Sequence, residues 1–304
     1  MGVLVVGSMA YDSVETHAGK VENALGGSAT FFSIASSLFA PTEIVAVVGE
    51  DFVEGDLERL RTRGIGLAGV QRQAGRTFRW GGRYGRFFES RESLFTELNV
   101  FADFDPQIPA PLDQAEVVFL ANIHPTLQAK VLDQVQSPRF VAMDTMNFWI
   151  DGERAALLEV LARVDLLLIN DEEAFSLAEC GDVHSAAARI AEMGPRHVVI
   201  KRGEHGAWLF TDGRAWLTPA VPLDTVIDPT GAGDSFAGGF VGYLARGDRI
   251  DQGAMQAAMV AGTLVASYCC EGFSVDRLES TDLEALRSRQ RVLADVVGPF
   301  DAVI

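Results

Sequence analysis

The feature of this sequence that most constrains its fold is a set of six short apolar runs separated by helix-like segments. Each run is rich in Val, Ile or Leu and ends at polar or turn residues, as strands buried on both sheet faces do. The runs are GVLVVGS (2–8), IVAVVGE (44–50), AEVVFLANI (115–123), RFVAMDT (139–145), DLLLIND (165–171) and RHVVIKRG (196–203). Helix-like segments cover residues 29–39, 127–136, 153–163 and 185–193. This alternation predicts right-handed βαβ crossovers and a three-layer α/β/α domain with a mainly parallel central sheet.

One part of the chain departs from this alternation. Residues 70–100 mix aromatic residues, arginines and glycines without a helical period. Such a pattern is typical of hairpin strands rather than of a crossover helix. Together with residues 11–25, this segment is predicted to form a small β lid inserted in a single domain that covers residues 1–304.

Composition excludes several classes of partner. The 304 residues carry a formal net charge of -17, which repels the phosphates of nucleic acids and anionic membranes. The uncharged stretch 252–270 contains Gln, Gly, Ser, Thr and Tyr, and therefore predicts a buried helix rather than a membrane span. The sequence starts directly with a strand-like run and no basic leader, so we expect a cytoplasmic protein.

A glycine-rich stretch, DPTGAGDSFAGGF (228–240), stands where a helix is predicted to begin. Free N–H groups and the positive end of the helix dipole make such a start a site for anions, and glycines let an anion approach closely. Asp234 in the first turn could accept a hydroxyl proton while the N–H groups hold a phosphoryl group. The alternative is that this segment only caps a helix.

Residues 228–241 resemble the C-terminal signature of the ribokinase-like (PfkB) family of carbohydrate and nucleoside kinases, and the rest of the chain follows the family in order. The resemblance implies a ribokinase-like fold with Asp234 as the catalytic base. It also implies an anion hole formed by Gly231, Ala232 and Gly233. Asp228 would lie near a site for K⁺ or another monovalent cation, although a turn-forming Asp-Pro would look the same.

Two further segments resemble the family's nucleotide site. Asn170 and Glu173 in INDEEA are similar to its N-x-x-E motif, which implies that Glu173 organises Mg²⁺ through water near the phosphates of ATP. An acidic helical turn stabilised by the helix dipole is the alternative. The segment VVIKRGEHGAWLF (198–210) resembles the strand and turn that hold ATP, although GEHG could be only a tight hairpin. The ATP-binding residues implied are Asn170, Lys201, Gly203, Gly206 and Thr230.

The acceptor side of the site is implied by residues near the start of the chain. Asp12 would take hydrogen bonds from two neighbouring substrate hydroxyls, and Gly26 and Gly27 would let the substrate approach the backbone. Asn147, after a predicted strand, is implied as a further substrate contact on the phosphate side. The family commonly has an Asn soon after the paired glycines, whereas this chain continues with Ser, Ala, Thr and Phe.

The lid segment does not determine which class of acceptor the protein binds. Its arginines could bind the phosphate of a sugar phosphate, and its aromatic residues could stack on a sugar or nucleobase. The aromatic residues could instead form a lid core or a homodimer interface. The residues concerned are Arg76, Arg79, Arg83, Arg86 and Arg91, with Phe78, Trp80, Tyr84, Phe87 and Phe88. Since no single arginine matches a family position, we expect a neutral acceptor.

The sequence therefore predicts an ATP- and Mg²⁺-dependent phosphotransferase acting on a hydroxymethyl group of a small sugar or nucleoside. A sugar-phosphate kinase that uses the lid arginines is one alternative, and a catalytically silent sugar- or nucleotide-binding regulator is another. The presence of Asp234, Asn170 and Glu173 favours an enzyme. The first strand is not followed by G-x-G-x-x-G and no G-x-x-x-x-G-K-[ST] occurs, which disfavours a dinucleotide oxidoreductase and a P-loop kinase.

Overall fold

The computed structural model describes residues 2–297. Its strands are β1 (Val3–Val6), β2 (Ala10–Thr16), β3 (Gly19–Gly26), β4 (Thr42–Gly49), β5 (Ile65–Gln73), β6 (Phe78–Tyr84), β7 (Arg91–Glu97), β8 (Val117–Leu120), β9 (Phe140–Asp144), β10 (Leu166–Asn170), β11 (His197–Lys201), β12 (Ala207–Thr211) and β13 (Arg214–Thr218). Its α-helices are α1 (Ser28–Ser36), α2 (Glu54–Thr62), α3 (Pro125–Gln134), α4 (Asn147–Gly152), α5 (Arg154–Leu161), α6 (Asp171–Ala178), α7 (Val183–Glu192), α8 (Ala232–Ala245), α9 (Gln252–Cys269), α10 (Asp276–Glu279) and α11 (Leu283–Val297).

Nine strands form one large sheet in the order β13-β12-β11-β10-β9-β8-β1-β4-β5. Neighbouring strands are parallel except at the β11–β12 and β12–β13 pairs. All six apolar runs are strands of this sheet, as predicted. Because side chains alternate along a strand, Val3 and Val5 of β1 pack into the core with α1, α2, α8 and α9. Leu4 and Val6 pack on the opposite face with α3, α5, α6 and α7. The predicted three-layer α/β/α architecture is confirmed.

The four predicted helical segments are present as α1, α3, α5 and α7, with ends displaced by one to three residues. The predicted buried helix at 252–270 is α9, which packs against α8 in the core. Across the residues that the structure describes, no helix is both long and apolar enough to cross a membrane.

Four strands form a separate small sheet in the order β3-β2-β6-β7. It consists of two antiparallel hairpins, β2–β3 and β6–β7, joined by a parallel pairing of β2 with β6. The predicted lid segment 70–100 begins too early, because residues 70–73 pair with β4 as the end of β5 in the large sheet. It ends in a 3₁₀ helix at Asn99–Asp103. The ends of the predicted domain, residues 1 and 298–304, lie outside the described residues.

Candidate active site

Three polar residues end neighbouring strands at the carboxyl edge of the large sheet. Asp144, Asn170 and Lys201 are the last residues of β9, β10 and β11. The Lys201 ammonium donates to Asp144 Oδ2 at 2.9 Å, and the two side chains are only 15% and 8% exposed. Burial alone would lower the pKa of Lys201, but the Asp144 and Glu173 carboxylates raise it above its ordinary value. Lys201 is therefore held in its charged form at this edge, in an ion pair with Asp144.

The glycine-rich segment forms the N-terminus of α8 beside this charge. Gly231 is the N-cap residue with φ 77°, a left-handed conformation that suits glycine, and a Cβ there would overlap the Phe31 ring. A Cβ on Gly233 would lie 3.2 Å from Lys201 Nζ. The first turn of α8 thus lies next to an ammonium group, and within it the N–H of Ala232 donates to the carbonyl of Pro229 at 3.1 Å. A helix N-terminus beside an ammonium group is an arrangement that favours anions.

The carboxyl groups around this turn have raised pKa values. Burial and the nearby charge of Asp144 raise the pKa of Asp234 to about 7, with Lys201 opposing the shift. Burial and Asp144 likewise raise the pKa of Glu173 to about 7. Burial raises the pKa of Asp12 to about 7, and the charges of Asp228 and Asp234 add to it. Asp12 in the small sheet and Asp234 in α8 therefore lie within electrostatic range of each other.

Asn170 and Glu173 form a capping box at the start of α6. Glu173 N donates to Asn170 Oδ1 at 2.8 Å, and Asn170 N donates to Glu173 Oε2 at 3.1 Å. Nowhere in residues 2–297 do three or more His, Cys, Asp or Glu residues cluster as a metal site would require. The capping box accounts for the acidic helical turn. A Mg²⁺-linked role for Glu173 stays a prediction.

Asp228 and Thr230 form a turn before α8. The buried Asp228 accepts a hydrogen bond from Thr230 N at 2.8 Å, and its pKa is raised by burial although this bond opposes the shift. The turn expected of an Asp-Pro sequence is present, and the role of Asp228 beside a monovalent cation stays a prediction.

The GEHG segment connects β11 and β12, an antiparallel pair, through a 3₁₀ turn at Gly203–His205. Gly203 has φ 52° and Gly206 has φ 83°, and a Cβ on Gly206 would lie 2.8 Å from Pro219 Cα. Both glycines are therefore required by the hairpin itself. Their contact with ATP stays a prediction.

The acceptor-side residues lie where the small sheet meets α1. Asp12 in β2 is flanked by Ala24 of β3 and by Trp80 of β6. A Cβ on Gly26 would lie 2.5 Å from Asp12 Cγ, so glycine makes room for this carboxyl group. Gly27 has φ 94°, and a Cβ there would lie 2.5 Å from the carbonyl oxygen of residue 8. By contrast, Asn147 is exposed at the start of α4.

The small sheet contacts the glycine-rich segment and the residue just before it. Tyr84 Oη, at the end of β6, lies 3.0 Å from Thr230 Oγ1. Thr16 Oγ1, at the end of β2, donates to the carbonyl of Ile227 at 2.8 Å. The strand ends that were predicted as a lid are thus hydrogen-bonded to the segment that carries Asp234.

Three of the five lid arginines are neutralised by carboxylates. The pairs are Arg76–Glu97 (3.5 Å), Arg79–Asp51 (2.7 Å) and Arg83–Glu15 (3.2 Å). Arg86 lies over the Phe87 ring, and Arg91 lies over the Trp80 ring with its Cζ 5.8 Å from the centroid. The cluster is therefore not a single positive surface.

Some lid aromatic residues pack on other rings, and some lie on the side of the small sheet that carries Asp12. Phe78 stacks on Phe101 at 5.3 Å, and Phe88 packs edge-on against Tyr84 at 5.9 Å. Trp80 pairs with Asp12 across β2 and β6, and paired residues of parallel strands face the same side of a sheet. Tyr84, four residues after Trp80 on β6, faces that side too and contacts the glycine-rich segment. The side with Trp80 therefore carries Asp12 and faces the glycine-rich segment.

Sequence reasoning did not include Asp144 among the site residues. Asp144 was visible only as a carboxylate at the end of an apolar run, and nothing in the sequence showed its contact with Lys201.

Comparisons with known proteins agree with this geometry. A cytidine kinase from Thermococcus kodakarensis is 29% identical over 260 residues, which cover 83% of this chain and 91% of the relative. A 2-dehydro-3-deoxygluconokinase from Thermoproteus tenax is 28% identical over 263 residues, which cover 80% of each chain.

Solved structures share the fold. A Methanocaldococcus jannaschii nucleoside kinase, described as an archaeal member of the ribokinase family, has a TM-score of 0.76 at 18% identity and covers 96% of this chain and 98% of its own. An Escherichia coli structure with ATP and Mg²⁺ has a TM-score of 0.79 at 18% identity, covering 95% of this chain and 99% of its own.

The family model for pfkB family carbohydrate kinases matches residues 2–275. Its match spans both sheets and the whole candidate site. This chain therefore belongs to the pfkB family of carbohydrate kinases, whose members named above are sugar and nucleoside kinases.

Proposed function

We propose that this kinase transfers the γ-phosphoryl group of ATP to a hydroxymethyl group of a small neutral sugar or nucleoside. The observation that carries the proposal is that Asp12 of the small sheet and Asp234 of α8 lie within electrostatic range of each other, with Lys201 beside the first turn of α8. A diol-binding carboxylate and a base would then stand on either side of the hydroxyl that reacts.

In the proposed reaction the acceptor oxygen forms a bond to the γ-phosphorus while the bond to the β,γ-bridging oxygen breaks and ADP leaves. Asp234 accepts the hydroxyl proton, and a pKa of about 7 suits a base that works near neutral pH. The N–H groups of Gly231, Ala232 and Gly233, with Lys201, hold the oxygens of the phosphoryl group.

Other residues would bind the nucleotide and the ions. Asn170, Thr230, Gly203 and Gly206 are proposed to line the ATP site with Lys201. Mg²⁺ on the nucleotide would offset phosphate charge, with Glu173 orienting its water. Asp228 would supply a carboxylate oxygen to a monovalent cation that orders the turn before α8.

A neutral acceptor is supported by the charges of the small sheet. Arg76, Arg79 and Arg83 already have carboxylate partners, so an acceptor phosphate would have to break these ion pairs. Trp80, on the same side of the sheet as Asp12, offers a flat apolar surface for a sugar or nucleobase. We place Gly26, Gly27 and Asn147 at the same subsite as Asp12.

A screen for ADP release tests the proposal. The panel contains cytidine, adenosine, ribose, fructose, 2-dehydro-3-deoxygluconate and ribose 1-phosphate, each with ATP and Mg²⁺. We expect turnover of a neutral compound, and Asp234→Asn should lower kcat by about 10²-fold or more while the fold is retained. No turnover by the parent, or unchanged turnover by Asp234→Asn, would contradict the proposed reaction. Turnover of only ribose 1-phosphate or 2-dehydro-3-deoxygluconate, the two anionic compounds of the panel, would contradict the neutral acceptor.

A second comparison tests the role proposed for the aromatic surface. Trp80→Ala should raise the KM of the neutral acceptor, and added salt should change that KM little because no acceptor charge is screened. A strongly salt-dependent KM would point to a charged acceptor. A cytoplasmic location and a homodimer through the small sheet stay predictions.

A further inference from the structure

We propose that Asp51 and Arg79 form a link between the two sheets that sets the position of Asp12, so that both are positioning residues for the acceptor. This inference rests on the proposed function, in which Asp12 binds the acceptor hydroxyls. Asp51 follows β4 of the large sheet, and Arg79 lies in β6 of the small sheet. The link therefore joins the sheets near the start of β6.

The Asp51 carboxylate holds the start of β6 with both of its oxygens. Its Oδ1 accepts hydrogen bonds from Thr77 N and Thr77 Oγ1, both at 2.7 Å, and its Oδ2 accepts one from Arg79 Nη2 at 2.7 Å. Burial alone would raise the pKa of Asp51, but the bonds from Thr77 and Arg79 lower it below its ordinary value. Asp51 is therefore held in its ionised form, and hydrogen bonds to a charged group are stronger than those between neutral groups.

Arg79 extends the link across the small sheet. Its Nη1 donates to Asn23 Oδ1 in β3, and its Cζ lies 5.3 Å from the centroid of the Tyr11 ring in β2. The side chains of Arg79 and Asp51 are only 15% and 28% exposed. One largely buried guanidinium thus ties β2, β3 and β6 to the large sheet.

Asp12 has strand partners next to two of these contacts. It pairs with Trp80, the residue after Arg79, and with Ala24, the residue after Asn23. The register between β2 and β3 shifts just after Asp12, so the contact with Asn23 holds β3 at an irregular point. A displacement of Arg79 would therefore move the strands that hold Asp12.

Arg79 lies on the side of the small sheet opposite to Asp12. It pairs with Tyr11, whereas the next residues along both strands, Asp12 and Trp80, pair with each other. Because successive side chains of a strand point to opposite faces, Arg79 and Asp12 are on different sides of the sheet. Arg79 therefore acts on the acceptor through the backbone of β2 and β6 and not by contact with it.

The proposed reaction depends on such a link. Asp12 is carried by the small sheet and Asp234 by α8, so contacts between these parts decide where the acceptor hydroxyl stands relative to the base. The two hydrogen bonds from the ends of β2 and β6 to the segment before α8 join neutral groups. The contact at Asp51 joins charged groups in a planar, rigid geometry that an arginine provides.

A double-variant cycle tests the link. Asp51→Asn, Arg79→Met and the double variant are compared with the parent by ADP release, using the neutral acceptor that the parent turns over fastest. Each single change should lower kcat/KM of the acceptor by about tenfold or more, while the KM of ATP changes by less than about threefold. The loss in the double variant should match the worse single variant within about twofold, because both changes remove one interaction. Arg79→Lys, which can still donate to Asp51, should retain more activity than Arg79→Met.

The pair of Arg83 with Glu15 provides the matched control. It also joins β6 to β2, but its side chains are 51% and 40% exposed. Exposed ion pairs contribute little, so Arg83→Met and Glu15→Gln should keep the parental kcat/KM of the acceptor within about twofold.

Amide hydrogen exchange measures the link without turnover. In Asp51→Asn, exchange in β2 and β6 should rise by about threefold or more relative to the parent, because the contact that holds these strands on the large sheet is weakened. Exchange in α8 should stay unchanged, which also confirms that the variant is folded.

The outcomes separate this inference from the proposed function. A parent that turns over no compound of the panel would overturn both. With an active parent, a kcat/KM of the acceptor within about twofold in Asp51→Asn would overturn only the link, as would additive losses in the double variant. An equal loss for ATP, or an equal loss in Arg83→Met, would overturn it too, because the effect would then not be specific to Asp12. Equal hydrogen exchange in the parent and Asp51→Asn would likewise overturn the link.

Discussion

Replacing Gly26 with alanine would test how the acceptor carboxylate is positioned. Gly26 ends β3 beside Asp12, and an added Cβ would lie 2.5 Å from Asp12 Cγ and closer still to Oδ2. Carbon atoms in contact normally stand about 3.5–4.0 Å apart, so the carboxyl group has to move by about 1 Å or more.

The size of the effect follows from this displacement. Catalysis depends on positions held to a fraction of an ångström, and a shift of about 1 Å can cost about 10²-fold in rate. Because the anion site is built on α8, away from Gly26, the loss should appear in kcat/KM for the acceptor. The KM of ATP should change by less than about threefold.

The assay is steady-state ADP release with each substrate varied in turn, with thermal unfolding to confirm that the variant is folded. Gly181→Ala is the matched control, because a Cβ there meets no atom within 4 Å. A folded Gly26→Ala variant with parental kcat/KM for the acceptor would refute the reasoning. An equal loss for ATP and acceptor would also refute it, since Asp12 would then not be specific to the acceptor.

Three further perturbations examine the other parts of the site. Gly233→Val should displace the Lys201 ammonium, because its Nζ lies 3.2 Å from the position of an added Cβ. We expect a lower kcat without any change in charge, and single-turnover phosphoryl transfer measures this rate. Asp234 has a pKa raised to about 7 and must be deprotonated to act as a base, so the kcat of the parent should fall as the pH drops below 7. At pH 6 it should be roughly a tenth of its plateau value. A kcat that stays constant down to pH 5 would contradict this. Asp12 has a pKa raised to about 7, so its neutral form stabilises the fold at low pH and that contribution is lost as the pH rises through 7. Asp12→Asn should therefore gain Tm relative to the parent at pH 8 more than at pH 5, by calorimetry at both values.

The sequence by itself determined the architecture and indicated most residues of the candidate site. Buried parallel strands need continuous apolar runs, so six such runs with helices between them could be read directly from the chain. The stretch from Asp228 to Phe240 was equally readable, because a helix start that must admit an anion needs glycine in consecutive turns. Lys201 was recognised from the glycines that follow it in the sequence, whereas its ion pair with Asp144 could not be read from the sequence.

Only the tertiary structure decided which charged side chains form ion pairs. Asp144 and Lys201 are 57 residues apart in the chain and are joined because β9 and β11 lie on either side of β10. Five lid arginines are alike in sequence, and the folded structure pairs three of them with carboxylates and places Arg91 over the Trp80 ring. Electrostatic interactions depend on distance and burial, which a local pattern does not contain. For the same reason the pKa of Asp234 could not be read from its motif, since Asp144 and the surrounding protein raise it.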